Sequence, residues 1–398
     1  MTSTHNAWLF RFTVFTAACT FVLLGAGGLV TSHGAGLAVP DWPNSYGYNM
    51  FLFPPSQWIG GILYEHTHRL IASFVGLLTA VLALWLWGRE TRGASKWAGI
   101  GAMVFVLMLM GVRHMGVYQA LAVLALPVIV AGLVQFFRRP DQLRWLGVVA
   151  YAAVILQGVL GGLRVVWLKD EIGIFHGTLA QLFFVLICLM ALRTSRWFAG
   201  LNREGGGGFR LHPLLLATTV LILAQLVLGA TMRHQHAGLA IPDFPLAYGE
   251  WWPATDPDSI ARYNQNRMEV RALNPITAFQ VHLQMVHRLM AVIILAAVFA
   301  SGWMVLRRLR WRSLAGKLGV FWMVLISVQV ALGAFTVLSN KAADVATAHV
   351  LAGALSLVTG AMLCIVYGRS PKSAPGAVLS GLSERERTAS ALATGPAT

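Results

Sequence analysis

Charged side chains are scarce in this chain. Only 11% of its 398 residues are Asp, Glu, Lys or Arg, against 57% hydrophobic residues and a mean hydropathy of +0.66. A water-soluble globule is excluded, because so few ionised groups cannot cover the surface of a protein this size. Acidic residues are the scarcer sign, 15 against 30 Lys and Arg, for a formal net charge of +15. In a membrane protein such an excess reports orientation, and no basic groove motif accompanies it, so nucleic acid is excluded as a partner. Cysteine is nearly absent. Cys19, Cys188 and Cys364 all fall inside apolar runs, which rules out a disulfide framework and a thiolate metal site.

What remains is an all-α polytopic membrane protein. Apolar runs near 12–31, 62–87, 97–113, 116–137, 145–166, 172–192, 212–232, 280–306, 317–338 and 344–367 approach or exceed the roughly 20 residues that cross a bilayer as helix. The run at 97–113 is short enough to form a re-entrant hairpin with its successor instead. Arginines and lysines gather in alternate connections: Arg89, Arg92 and Lys96; Arg138, Arg139 and Arg144; Arg193, Arg196, Arg203 and Arg210; Arg307, Arg308, Arg310, Arg312 and Lys317. The intervening connections hold only Arg113, Arg164 with Lys169, and Lys341. The positive-inside rule therefore predicts both termini in the cytoplasm. Glu204-Gly-Gly-Gly-Gly208 reads as a flexible linker, 204–210, between an N-terminal unit, 1–203, and a C-terminal unit, 211–368; the Ser, Ala, Gly and Pro-rich tail 369–398 reads as a disordered cytoplasmic segment.

The two units carry related text. Gly34-Ala-Gly-Leu-Ala-Val-Pro-Asp-Trp-Pro43 returns as His236-Ala-Gly-Leu-Ala-Ile-Pro-Asp-Phe-Pro245. Each is followed by a His-Arg pair, His68-Arg69 and His287-Arg288, and Gln157-Gly-Val-Leu-Gly161-Gly162 precedes His176 as Gln329-Val-Ala-Leu-Gly333-Ala334 precedes His349. The first interval between paired histidines is longer by an extra apolar hairpin near 97–137. The first span matches 212–232 in mid-chain, where no signal peptidase cuts, so it is a true span rather than a cleaved leader. This pattern predicts two pseudo-symmetric four-helix bundles from an internal duplication, plus the inserted hairpin.

All four histidines head helices that run from outside to inside, which puts them near the outer surface. Two facing imidazoles in a bundle can hold a haem iron between them. Zinc or copper usually needs a third donor, which the repeat does not supply. Aligning His68 with His287 sets Glu65 against Gln284: a carboxylate three residues before one histidine, its uncharged isostere before the other. A carboxylate beside a haem pocket can act as a base or stabilise developing positive charge, and an amide can only hydrogen-bond. The first unit therefore reads as reactive and the second as a holder. Glu65 alternatively pairs with its i+4 neighbour Arg69. Arg69 and Arg288 read either as propionate partners or as interfacial arginines. His66 points to another face than His68. His5, His33, His114, His212, His234, His236 and His282 lack matched partners and read as loop or interfacial residues. Asp41, Trp42, Asp243, Phe244, Trp251 and Trp252 read as an aromatic belt, with a lid over the haem edges as the alternative. Arg262, Arg267, Glu269 and Arg271 in the longer second loop offer a docking surface for an assembly partner.

Together these loops, Glu65-His66-Thr67-His68-Arg69, Gln157-Gly-Val-Leu-Gly161-Gly162, His176-Gly177, His287-Arg288 and His349 resemble the haem A synthase (Cox15/CtaA) family over nearly the whole chain apart from about 88–144 and the tail. The resemblance implies two duplicated four-helix bundles in the bacterial cytoplasmic membrane and oxidation of the C8 methyl of haem O to a formyl group, giving haem A for cytochrome oxidase. By position it implies that His287 and His349, with Gln284 and Arg288 beside them, hold a haem b cofactor, that His68 and His176 ligate the substrate haem, and that Glu65 is the catalytic carboxylate. It also implies haem O synthase and oxidase assembly factors as partners; the electron acceptor and any homo-oligomer stay open. Many members have cysteines where this chain has Val39, Ser45, Ile241 and Ala247, so thiol-based handover is excluded here. A di-haem b electron-transfer protein and a haem carrier without chemistry remain the alternative readings.

Overall fold

The protein is described here by a computed structural model covering residues 6–112, 114–203, 211–266, 275–309 and 311–369. The expected linker 204–210, the tail beyond Arg369, His5, Arg113, Arg210, Arg267, Glu269, Arg271 and Arg310 lie outside the described residues.

Among the described residues ten helices are long and apolar enough to cross a membrane, as the sequence leads one to expect, and the chain is an integral membrane protein. They are α1 (Ala7–Ser32), α2 (Gly61–Glu90), α3 (Gly93–Met110), α4 (Met115–Arg138), α5 (Arg144–Trp167), α6 (Asp170–Thr194), α8 (Pro213–His234), α10 (Ala278–Leu309), α11 (Leu314–Leu338) and α12 (Ala343–Arg369). Two shorter helices, α7 (Arg196–Arg203) and α9 (Pro257–Gln265), were not legible as apolar runs because neither is one. The short third run forms the 18-residue helix α3.

Helices α1, α2, α5 and α6 close one ring of contacts, and α8, α10, α11 and α12 close another. The rings meet where α1 and α6 touch α12 and α6 touches α8, through Phe184, Cys188, Ala354 and Val358 with Phe21 and Leu24. The α3–α4 hairpin stands outside the first ring, against α5 and α2. Tyr151 of α5 donates to the Met103 carbonyl of α3 at 2.7 Å, tying the hairpin on.

Lipid offers no hydrogen bonds and little hydrophobic drive between helices, so packing depends on close approach and self-satisfied polar groups. Buried Thr13, Thr16 and Thr20 donate to the carbonyls of Leu9, Phe12 and Thr16 one turn back in α1. Glycines set the approach distances. A Cβ on Gly147 would lie 3.3 Å from the Ala83 backbone, and one on Gly302 3.2 Å from the Gly319 carbonyl.

Gly360 of α12 is tighter still, with its Cβ position 2.6 Å from Thr219 Oγ1 and 2.8 Å from the fully buried Trp322 ring. Gly360→Val should overpack this junction and cost about 1–3 kcal/mol, read as a lowered Tm of the detergent-solubilised protein.

Candidate active site

The loop after α1 folds down onto the start of α2. Asp41 caps it, its carboxylate accepting from the Tyr46 and Gly47 N–H groups at 2.7 and 2.8 Å. Tyr46 closes it by donating to the Ala38 carbonyl at 2.6 Å. The loop after α8 repeats each element: Asp243 accepts from the Tyr248 and Gly249 N–H groups at 2.8 and 2.9 Å, and Tyr248 donates to the Ala240 carbonyl at 2.5 Å. Tyr46 and Tyr248 adopt φ of 50° and 54°, each before a glycine in the same left-handed region.

Side chains of α2 and α10 supply the bonds that these folded-in loops cannot make for themselves. Glu65, 4% exposed, accepts from the Val39 N–H at 2.8 Å and from Arg69 at 2.7 Å. Arg69 also donates to the carbonyls of Val39, Asp41 and Asn44 at 2.7–3.0 Å. In the second unit Gln284, 2% exposed, accepts from the Ile241 N–H at 2.7 Å and its amide nitrogen donates to the Ile241 carbonyl at 3.2 Å. Arg288 donates to Asp243 and Leu246 carbonyls at 2.7 and 2.9 Å. The terminal nitrogens of both arginines are thus committed to loop backbone. For Arg69 this is a different partner set from the propionate expected of it, and the Glu65–Arg69 pairing weighed in the sequence is present.

Each expected ligand histidine leans on a glycine of the preceding helix in its own ring. A Cβ would lie 3.1 Å from His68 Cε1 at Gly27, 3.2 Å from His176 Cε1 at Gly161, 3.5 Å from His287 Cε1 at Gly229 and 3.1 Å from His349 Cε1 at Gly333. Gln157 and Gln225, one helical turn before two of these glycines, donate to the carbonyls of His176 and His287 at 2.8 and 2.9 Å. Gln329 holds the matching position before Gly333, and its carbonyl lies 3.1 Å from His349 Nδ1. Gly27, Gly229 and Gln225 were missed in the sequence; the signal for the last two was the Gln-x-x-x-Gly that precedes His287 as it does His176 and His349.

The second pair comes together with ring centroids 6.5 Å apart. Two metal–nitrogen bonds of about 2 Å, each extended by about 1 Å to a ring centre, total about 6 Å, so the pair fits a single iron held between two imidazoles. The Nδ1 atoms of His68, His176 and His287 are buried with no hydrogen-bond partner among the described residues, a desolvated donor set of the kind that ligation relieves. His68 and His176 lie within electrostatic reach of each other. Among the described residues no three His, Cys, Asp or Glu side chains cluster as a metal site.

The remaining sequence candidates separate. His66 is fully buried, 3.1 Å from Ser45 Oγ and between the rings of Phe53 and Trp58, on another face from His68 as expected. Trp42 wedges against Gly162, where a Cβ would clash with it, and meets Tyr118 of α4 edge-on at 4.5 Å. Trp251 is 81% exposed. His33 stacks on Tyr64, His212 packs edge-on to Tyr367, and His282 bonds Thr255. His234 faces Asp170 across the two rings at 3.9 Å and seats on Gly173, a contact its lone occurrence in the sequence did not announce. Val39, Ser45, Ile241 and Ala247 are all buried in the loop sockets.

The cytochrome oxidase assembly protein family, COX15-CtaA, matches residues 107–361. The chain belongs to this family. Proteins named Heme A synthase are similar to it across most of its length: that of Geobacillus kaustophilus is 23% identical over 84% of this chain and 83% of its own. That of Lysinibacillus sphaericus is 23% identical over 90% and 94%, and that of Listeria monocytogenes 26% identical over 59% and 70%. The COX15-CtaA match spans His176, Gln284, His287, Arg288 and His349; Glu65, His68 and Arg69 precede it.

Because a Cβ at Gly333 would already lie 3.1 Å from His349 Cε1, the branched side chain of Gly333→Val should displace that ring. The expected outcome is loss of tightly bound haem, read as Soret absorbance per purified protein, with unchanged elution from a sizing column.

Proposed function

We propose that the chain oxidises the C8 methyl of haem O to a formyl group, making haem A for cytochrome oxidase. The observation that carries this reading is the asymmetry between two matching sockets: Glu65 with His68 and His176 in the first bundle, Gln284 with His287 and His349 in the second. The names of the relatives support the same reading.

In this reading the first bundle takes haem O, with its iron between His68 and His176, and the second holds haem b between His287 and His349. Haem b supplies one-electron redox chemistry when bound. The methyl takes up one oxygen from water and gives up two electrons and two protons to become the alcohol, and the same exchange gives the geminal diol, which loses water to leave the aldehyde; the four electrons pass in one-electron steps to an external oxidant. Removing electrons from a methyl joined to the macrocycle leaves positive character there, and Glu65 is the nearby anion that stabilises it or directs water to it. Arg69 pairs with Glu65 at 2.7 Å, and each carboxylate oxygen retains a lone pair beyond its one protein donor. The four histidines lie near the outer face, with both termini in the cytoplasm. All four sit close to the starts of α2, α6, α10 and α12, which enter from one side. A transmembrane electron carrier would instead stack its haems on opposite sides.

The deciding experiment is mass spectrometry of haems extracted from membranes that contain this protein and a source of haem O. Haem A or its hydroxylated precursor should appear with the intact protein; unmodified haem O alone would reject the reading in favour of binding or transfer. Glu65→Gln should lower formyl production about 100-fold while the purified protein still carries its haem, since Gln284 occupies the equivalent socket without strain. Full activity in that variant would remove Glu65 from the chemistry.

A further inference from the structure

Arg164 is the cation near the first histidine pair that the protein itself leaves unanswered. It stands in the last turn of α5, one turn beyond Gly161, so it shares the helix face that seats His176 and lies toward the outer surface. Its guanidinium lies against Gly36 of the first loop, where a Cβ would come within 2.7 Å of Nη2. It is within electrostatic reach of His68, His176, Glu65 and Asp170. Yet among the described residues no hydrogen bond or ion pair engages it: Glu65 is taken by Val39 and Arg69, and Asp170 faces His234. A guanidinium carries five donors in a planar fork, and a half-buried one with no acceptor among the described residues is free to receive an anion in bidentate fashion. The position is particular to the first unit. Counting seven residues from Gln157 reaches Arg164, and seven from Gln329 reaches Thr336.

The geometry points to Arg164 as the residue that binds a propionate carboxylate of the substrate macrocycle in the first bundle, with the ring carried edge-on between His68 and His176 and its carboxylates toward the outer face. This rests on the proposed reading of the first bundle as the haem O site. It assigns the anion-binding role to Arg164 rather than to Arg69, whose terminal nitrogens are already spent on the loop. It also gives the first site a recognition element that the second does not share, which would help sort haem O from the resident haem.

The test titrates purified full-length protein, carrying its resident haem, with haem O and with haem O dimethyl ester, in which both carboxylates are masked. Binding is followed by the Soret change that His68→Ala abolishes. Wild type should prefer the free acid about 10- to 100-fold. Arg164→Thr, which installs the residue of the matching second-unit position, should bind the two forms alike. Arg164→Lys should recover part of the preference, and resident haem should stay unchanged in both variants. An undiminished preference in Arg164→Thr overturns the assignment. So does an unchanged preference accompanied by altered retention of phosphatidylglycerol in nanodiscs, which would make Arg164 a headgroup contact. A wild type that gives no His68-dependent Soret change with either form rejects the haem O reading of the first bundle itself, and the Arg164 assignment falls with it.

Discussion

A backbone that folds down beside apolar helices must have its peptide groups bonded, because lipid and packed side chains offer nothing in exchange. Everything else at the site depends on how that demand is met. The loop after α1 turns inward through Val39, Asp41 and Asn44, and its carbonyls and amide are satisfied from a single turn of α2 by Glu65 and Arg69. The same turn carries His68. The bonds that hold the loop down therefore also fix the rotation of the helix that presents the histidine, and the same holds for Gln284, Arg288 and His287 on α10. Loop and ligand cannot move independently.

The two sockets meet the same demand with different charge. Gln284 closes on Ile241 by itself, accepting from its N–H and donating to its carbonyl, so the second socket needs no ionised group at that point. Glu65 can accept but not donate, and the Val39 carbonyl is served by Arg69, which at the same time neutralises the carboxylate. As scaffolding, the first arrangement has no advantage over the second, and it carries the added cost of desolvating an ion pair. Under the proposed function, what this costlier arrangement adds is a carboxylate one helical turn from His68.

Much of this was legible in the sequence because membrane helices write themselves in composition. The ten spans, the short α3 and the pairing of His68, His176, His287 and His349 with repeated loop text all follow from apolar runs and repeated words. What the sequence hid depends on partners far along the chain. The local text offers Glu65, a propionate or the interface as partners of Arg69, and shows nothing of the loop carbonyls, up to 30 residues back, that fold against it. Nothing in the text of the first loop says that Trp42 packs on Gly162, near the end of α5, and on Tyr118 of the inserted hairpin. Polar α7 and α9 left no apolar trace, and the glycine seats are invisible without knowing which ring each faces.

The same glycine logic sets the distance between the two sites. Helix α1 is the wall they share: Gly27 faces His68 of the first pair, and Gly28 faces Thr347, two residues before His349 of the second, with a would-be Cβ 2.8 Å from its methyl group. Ser32 of α1 meets the Thr347 hydroxyl at 3.3 Å, and Arg233 of α8 donates to the Gly28 carbonyl and the Ser32 hydroxyl, both at 2.9 Å. A side chain at either glycine would push one histidine helix away from the wall. At this level α1 presents bare backbone to both rings and is stitched by hydrogen bonds to α8 and α12 of the second. Under the proposed function, electrons leaving a reaction in the first bundle for a haem in the second would cross at this level of α1, where adjacent glycines let both histidine helices approach it.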